Sequence, residues 1–356
     1  MTHKLMLAAV ALIASTTMLS GCGDDGAASG EAAVEEIVLV THDSFAIPDD
    51  VLAAFEAETG VAVRVLRSGD AGATVNQAIL TKDNPIGDVL FGVDNTFVSR
   101  ALDAGIFRAY ESPGLQDVPA DLRIDAAYRV TPIDVGNVCL NYDKAAFGGD
   151  NVAVPTSLDQ LTEADYAGSL VVQDPTTSSP GLAFLLSTVA AFGEEGEYTW
   201  QTYWSELIAN DVLVTSGWEE AYNGSFSGGS GQGDRPLVVS YASSPPAEVI
   251  FSDPQPAEAP TGVITDGCFR QIEFAGILEG TAAGAAAEDL IDFMLSPTFQ
   301  EAIPLNMFVY PANATAELPP EFVEHTTLPS ATRTLDPAVI DANRDRWLRE
   351  WIELVR

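Results

Sequence analysis

Between the apolar run Leu170-Val171-Val172 and the helical run Leu182 to Leu186 lies Gln173-Asp174-Pro175-Thr176-Thr177-Ser178-Ser179-Pro180-Gly181. Four consecutive hydroxyl residues stand where a strand gives way to a helix. Such a junction presents OH groups beside the unpaired N–H groups of a helix's first turn, at the positive end of the helix dipole. Proline there costs nothing, because its missing N–H would have been unpaired anyway. The arrangement suits an oxygen-rich ligand group. Read alone, it is better explained as an ordinary capped helix start.

Other strand ends carry comparable chemistry. His42-Asp43-Ser44, Ser68-Gly69-Asp70 and Asp94-Asn95 follow apolar strands in the first part of the chain, and Ser216-Gly217-Trp218 and Ser243-Ser244-Pro245-Pro246 do so in the second. Each alone is a turn or a cap. Where strands alternate with helices, however, the loops beyond the carboxyl ends of the strands converge on a ligand crevice. Catalytic templates are missing: there is no glycine-rich phosphate motif, no Gly-x-Ser-x-Gly elbow, and no histidine pair at metal spacing, the histidines being His3, His42 and His325. No catalytic residue, metal or cofactor is assigned, and the chain is not expected to be an enzyme.

The elements that must position these groups follow from periodicity. Ile37 to Val40 is a buried strand, Pro48 opens a helix carrying Val51, Leu52 and Phe55 that stops at Gly60, and Val61 to Leu66 alternates as a strand. A helix from Gly72 to Thr81, a strand from Asp88 to Phe91 and a helix capped by Asp94 and ending near Gly105 continue the pattern. This predicts an α/β fold with a mostly parallel sheet covered on both faces. A second α/β set follows, with a strand at Val138 to Tyr142, a helix near Ser157 to Leu161, the hydroxyl loop, helices at Leu182 to Phe192 and Trp200 to Ile208, and strands at Val212 to Val214 and Leu237 to Tyr241. Gly224 to Gly233 reads as a flexible loop, and Gly262 to Phe274 as paired strands. Glu288 to Leu295 is a helix halted by Ser296-Pro297. Asp336-Pro337 starts a terminal helix whose Ile340, Trp347, Leu348, Trp351, Ile352 and Val355 recur at core-packing spacing.

At the amino end, His3-Lys4, the apolar run Leu5 to Ile13 and Leu19-Ser20-Gly21-Cys22 read as an export signal, too short for a membrane span. Leu-Ser-Gly-Cys resembles a lipobox, which makes Cys22 a lipid attachment site and residues 23–36, rich in Gly, Ala and acid, a tether. Cys139 and Cys268 then remain as a disulfide candidate in an oxidising compartment, with a nucleophilic cysteine as the sharper alternative. The 52 acidic residues outnumber 16 basic ones, for a net charge of −36. That surface repels nucleic acid and anionic lipid. The scatter of the acids favours adaptation to a salty exterior over steering of a cationic ligand.

Thr41-His42-Asp43-Ser44-Phe45, Asp88 to Asn95, Gln173 to Gly181, Thr215-Ser216-Gly217-Trp218-Glu219-Glu220-Ala221-Tyr222, Ser240 to Pro245, and Ser296-Pro297 through Tyr310-Pro311 resemble, in order, the thiamine-binding proteins of bacterial ABC importers. The resemblance implies a two-lobed type II periplasmic-binding fold that closes on a ligand between its lobes, with lobe one at 37–131 plus 266–312 and lobe two at 132–265 plus 313–356, where the terminal helix docks. It implies thiamine or a thiamine phosphate as solute, ABC permease subunits as partners, a monomer, membrane contact through a lipid anchor only, and no nucleic acid. The family's ligand contacts fall on Asp70 and Ala71, on Ser178 and Ser179, on Trp218, and on Tyr241, Ala242, Ser243 and Ser244. Trp218 would stack on a ring or face the thiazolium cation, Asp70 would balance charge or accept from the amine, and Ser178 and Ser179 would hold the hydroxyl or phosphate end. His42 stands in place of a tyrosine, Ala247 in place of a tyrosine and Phe308 in place of a tryptophan, so the aromatic walls differ. Phe308 is expected to stack nonetheless and a neighbour to fill the gap. Two alternatives stay open: a binding protein for ferric ion or another small solute, and a thiaminase-like transferase with Cys139 as nucleophile.

Overall fold

A computed structural model describes residues 35–148 and 152–356. The expected export signal, the lipid site at Cys22 and residues 23–34 of the expected tether lie outside the described residues.

The first run of elements is β1 (Glu36–Thr41), α1 (Asp49–Thr59), β2 (Ala62–Arg67), α2 (Ala71–Leu80), β3 (Val89–Asp94), α3 (Val98–Ala104) and the short β4 (Phe107–Arg108). Glu36, the last residue of the expected tether, is therefore already in the sheet. Pro48 precedes α1, and Gly60 ends it in the left-handed conformation with its N–H bonded to the Glu56 carbonyl, the usual use of a residue without a Cβ. β5 (Thr131–Asp143) then runs into a second set: β6 (Leu170–Gln173), α4 (Ser179–Phe192), α5 (Trp200–Ala209), β7 (Leu213–Thr215), β8 (Leu237–Tyr241) and α6 (Ser244–Ile250). The helix expected near Ser157 is a single 3-10 turn, Asp159–Thr162. The chain returns through β9 (Thr261–Leu278), α7 (Gly284–Met294), α8 (Pro297–Gln300), α9 (Ile303–Met307), β10 (Tyr310–Pro311) and α10 (Pro320–His325), and ends in α11 (Pro337–Val355).

Among the described residues the strands form one ten-stranded sheet in the order β2-β1-β3-β9-β5-β8-β6-β7, with β4 on β9 and β10 on β5. Two parallel wings, β2-β1-β3 and β8-β6-β7, flank an antiparallel centre. The expectation of a mostly parallel sheet is corrected accordingly. The reason is that β5 and β9 are long enough to pass from one wing into the other, and they pair with each other in opposite directions. The expected pair of strands at Gly262 to Phe274 is one 18-residue strand. Asp266-Gly267 reads as a turn in sequence, but the left-handed Gly267 (φ 83°) is absorbed as a bulge: β5 advances two residues from Val138 to Leu140 while β9 spans Phe269 to Ile264.

Helices pack on each wing, giving two lobes. α4 is buried along Ser179 to Val189, as expected of a helix apolar on all sides. The Gly and Ser segment after it is not loose. Ser227 N–H donates to Arg235 O (2.9 Å) and Gly233 N–H to Phe226 O (3.0 Å), and a Cβ at Gly233 would meet the Ser225 carbonyl at 1.9 Å. α11 lays Trp351 edge-on against Trp204 of α5 (5.5 Å), while its buried Arg344 donates to Thr96 O (3.1 Å) and to Ser99 Oγ of α3 (3.0 Å). The terminal helix thus touches elements of both wings.

Candidate ligand-binding site

A cavity of about 320 Å³ opens where the wings face each other, within the range of small-molecule sites. Its walls come from five strand-to-loop junctions. Asp70 and Ala71 open α2, Ser179 and Pro180 open α4, His42 follows β1, Tyr241 ends β8, Ser244 opens α6, and Trp218 follows β7. Phe308 closes the far side from the α9–β10 loop. The structure thus brings together eight of the residues named from the sequence. Ser178, Ala242 and Ser243 do not line the cavity. At a strand end successive side chains point to opposite faces, so Tyr241 turns to the cavity while Ala242 packs with Cys139 and Cys268. The Ser243 hydroxyl instead donates to the Phe308 carbonyl. That bond holds a residue in the left-handed region (φ 57°), which a bulky side chain adopts only when its surroundings enforce it.

Asp70 joins the two wings. It caps α2 by accepting from Ala71 N–H (2.6 Å), and its other oxygen accepts from Trp218 N–H (3.0 Å). The next two amides of α2, Gly72 and Ala73, donate to the Thr177 carbonyl (2.9 and 3.3 Å), and the Thr177 hydroxyl donates to Ser216 O (2.8 Å). The approach requires glycine: a Cβ at Gly72 would lie 2.9 Å from Thr177 O. Loss of water around Asp70 raises its pKa, and the hydrogen bonds from Trp218 and Ala71 oppose that rise.

The aromatic surfaces come next. Trp218 lies flat on Tyr222 (4.9 Å, 13°). Its indole N–H donates to Ser240 Oγ (2.9 Å), and Ser240 in turn bonds Ser244 Oγ (2.8 Å). Tyr222 belongs to a π-helical turn, Glu220–Ser225, a feature frequent at functional sites. Across the cavity Phe251 meets Phe308 edge-to-face (5.2 Å, 75°). Phe251 is 70% exposed and sits one helical turn beyond Ala247, occupying the wall that Ala247 leaves open.

The floor carries three acids in register. Asp94 of β3 and Asp134 of β5 are both direct partners of Glu273 in the intervening strand β9. Asp94 and Asp134 are fully buried, and Glu273 reaches the cavity. Asp94 accepts from Thr96 and Phe97 through Oδ1, but its Oδ2 and both oxygens of Asp134 have no hydrogen-bond partner. Like charges opposite one another destabilise a sheet, so such a row is held in place by the rest of the fold. Burial, then the charge of the adjacent Glu273, pushes the Asp134 carboxyl well up. Burial raises Asp94 to about 6, with Glu273 adding to the effect and Thr96 opposing it. Burial alone would depress His42, but Glu273 at 3.6 Å, with Asp70 and Asp43, holds its imidazole above the ordinary value. The hydroxyls of Ser178 and Ser179 are buried and unpartnered; Ser179 faces the cavity.

A stability consequence follows. Asp94 binds its proton more tightly folded than unfolded, so its contribution is complete below about pH 4 and is lost as pH rises through about 6. Asp94→Asn keeps an oxygen for Thr96 and Phe97 and removes the titration. Urea melts from pH 4 to 7 are expected to show the variant gaining on the parent by on the order of 1–3 kcal/mol across that window; a pH-independent difference contradicts it.

Cys139 and Cys268 are joined in a disulfide between β5 and β9. Both are buried and off the cavity lining, so Cys139 is not a free thiolate in the cleft and the transferase alternative loses its nucleophile.

The whole described fold can now be set beside known proteins. Residues 84–332 match the family model of the bacterial extracellular solute-binding proteins. The chain belongs to that family. It is 31% identical over 320 residues to the thiamine-binding periplasmic protein of Escherichia coli K12, covering 88% of this chain and 92% of that one. It is 29% identical over 333 residues to the protein of the same name from Brucella melitensis, covering 92% and 94%. A solved periplasmic thiamin binding protein superposes with TM-score 0.75 at 28% identity, over 90% of this chain and 96% of that one. A ferric binding protein from Campylobacter jejuni shares the fold (TM-score 0.70, 18% identity, 89% and 99% coverage). The architecture is thus the two-lobed periplasmic-binding fold with its cleft between the lobes.

Several lining residues had no assigned role in the sequence: Glu273, Glu248, Phe251, Tyr222 and Asn306. The signal for two was present. Ala247, Glu248 and Phe251 follow Ser244 at the 3, 4 and 7 spacing of one helix face.

Proposed function

We propose that this protein captures thiamine, or a phosphate ester of it, outside the cell membrane, closes its lobes on it, and delivers it to an ABC permease. In this reading it is exported, held by lipid on Cys22, acts as a monomer and carries out no catalysis. The observation that carries it is the pairing, in one cavity, of the flat Trp218–Tyr222 stack with carboxylates at Asp70 and Glu273. A flat aromatic cation needs a π face and a counter-charge. The buried, unpartnered Ser179 hydroxyl in the lining offers a hydrogen bond to the polar arm. The lobe boundaries proposed are 37–131 with 266–312, and 132–265 with 313–356.

Titration with thiamine should change tryptophan fluorescence, because Trp218 lines the cavity. No response up to about 100 µM, an affinity too weak for a capture protein, counts against the reading. Ferric ion added in the same assay, with metal analysis of the purified protein, tests the iron alternative. Expected is no iron retained and no response to it.

A further inference from the structure

Resting on the thiamine reading, we infer that Phe251 is a specificity-determining contact residue: with Phe308 it makes a second aromatic wall, which holds an uncharged ring of the solute while the Trp218–Tyr222 stack faces the cationic one. Among the described residues Phe251 is the one strongly exposed phenylalanine, at 70%. A single apolar side chain in water means little by itself. This one lines the cavity and meets another lining ring, Phe308, edge-to-face (5.2 Å, 75°). Its backbone is fixed. Phe251 continues α6, its N–H donating to Ala247 O (3.0 Å), and the Ser252 hydroxyl donates to Glu248 O (2.5 Å). Ala247, one turn earlier on the same helix face, also lines the cavity but brings only a methyl group.

On its other side Phe251 borders a second cleft of about 370 Å³, shared with Ser252, Pro254 and Pro260. The ring thus stands as a partition with space on both sides, free to tilt onto a ligand. Phe308 is held instead: its carbonyl accepts from the Ser243 hydroxyl and its backbone is left-handed (φ 57°). α6 therefore grips the α9–β10 loop at both ends, through Ser243 before its first residue and Phe251 after its last. Charge then divides the two walls. Asp70 accepts from Trp218 N–H (3.0 Å), and Glu248 accepts from Tyr222 OH (2.8 Å) and Ser230 Oγ (3.3 Å), which ties both carboxylates to the stack. Tryptophan is also the best π partner of a cation. Phe251 and Phe308 have no polar side-chain atom, and two rings at 75° form a corner where a third, uncharged ring can lie on one face and meet the edge of the other. Thiamine carries both kinds of ring, joined through a single carbon, so one molecule can use both walls.

The test is calorimetric titration of the full chain and its Phe251 variants with thiamine and two hydroxyethyl thiazolium salts, one bearing an N-benzyl group in place of the pyrimidine and the other an N-ethyl group. The parent is expected to bind the benzyl salt at least about tenfold more tightly than the ethyl salt. Phe251→Ala, a change at an exposed position that should leave the melting temperature unaltered, is expected to weaken thiamine and the benzyl salt about 5- to 30-fold and the ethyl salt by less than about twofold. Phe251→Tyr keeps a ring and should keep the parental preference, whereas Phe251→Leu keeps only apolar bulk and should fall between. Equal weakening of all three ligands by Phe251→Ala, or weakening of none, overturns the inference and leaves the thiamine reading intact. A parent that binds no thiamine overturns that reading, and the inference falls with it.

Discussion

Trp218→Ala is expected to weaken thiamine binding about 10- to 100-fold, roughly 1.4–2.8 kcal/mol. Two losses combine. The ring that lies on Tyr222 disappears, and with it the face offered to an aromatic cation. The Ser240 hydroxyl loses its indole donor, loosening the Ser240–Ser244 link at the start of α6. The backbone N–H of residue 218 still reaches Asp70, so the junction between the wings persists and the loss should reside in the ligand contact. Trp218→Phe separates the parts by restoring a ring without the indole N–H, and its affinity should fall between the two. Calorimetry is the readout, since the fluorophore is removed. An affinity within about twofold of the parent, for a variant with an unchanged melting temperature, would sink the assignment.

The second large effect concerns the disulfide. Cys139 and Cys268 are 129 residues apart in sequence, and closing so long a loop restricts the unfolded chain strongly. Replacing both by serine should cost about 2–5 kcal/mol, read as a shift in the urea midpoint with little change in slope. Addition of a reductant to the parent should move its midpoint toward that of the variant. Alkylation of the unreduced protein followed by peptide mass analysis should find both cysteines unmodified. A labelled Cys139 would contradict the bonded state and return that sulfur to consideration as a nucleophile.

The sequence announces whatever is written locally. Asp70 before an apolar helix, Gly60 after one, and hydroxyl residues at the end of Leu170–Gln173 declare caps and strand ends in a few residues each, and the cavity formed at the first and last of these. The resemblance supplied what local patterns do not, the two lobes and a named class of ligand. What stayed hidden depends on long-range register. Glu273 meets Asp94 and Asp134 only because β9 crosses between two strands some 140 to 180 residues away in the chain. The Thr177 contact is invisible for another reason: it uses a backbone carbonyl, which every residue has. Ser178 and Ser243 lie next to the lining residues Ser179 and Ser244, at the N-caps of α4 and α6. Phe251 was overlooked although its spacing from Ala247 places it on the same helical face, because an exposed phenylalanine is unremarkable until its partner Phe308 is known.

The amides of Gly72 and Ala73, seated on the carbonyl of Thr177, bear on kinetics. Parting the wings must surrender these bonds, and the one from Trp218 to Asp70, to solvent before a bound molecule can leave. The bonds from Gly72 and Ala73 join uncharged groups, so salt should scarcely touch them. Escape from the closed form would then be slow and nearly independent of ionic strength, while entry, guided by the acidic rim, would slow as salt rises. A permease that prises open this seam would do more to hasten unloading than one that competes for the ligand.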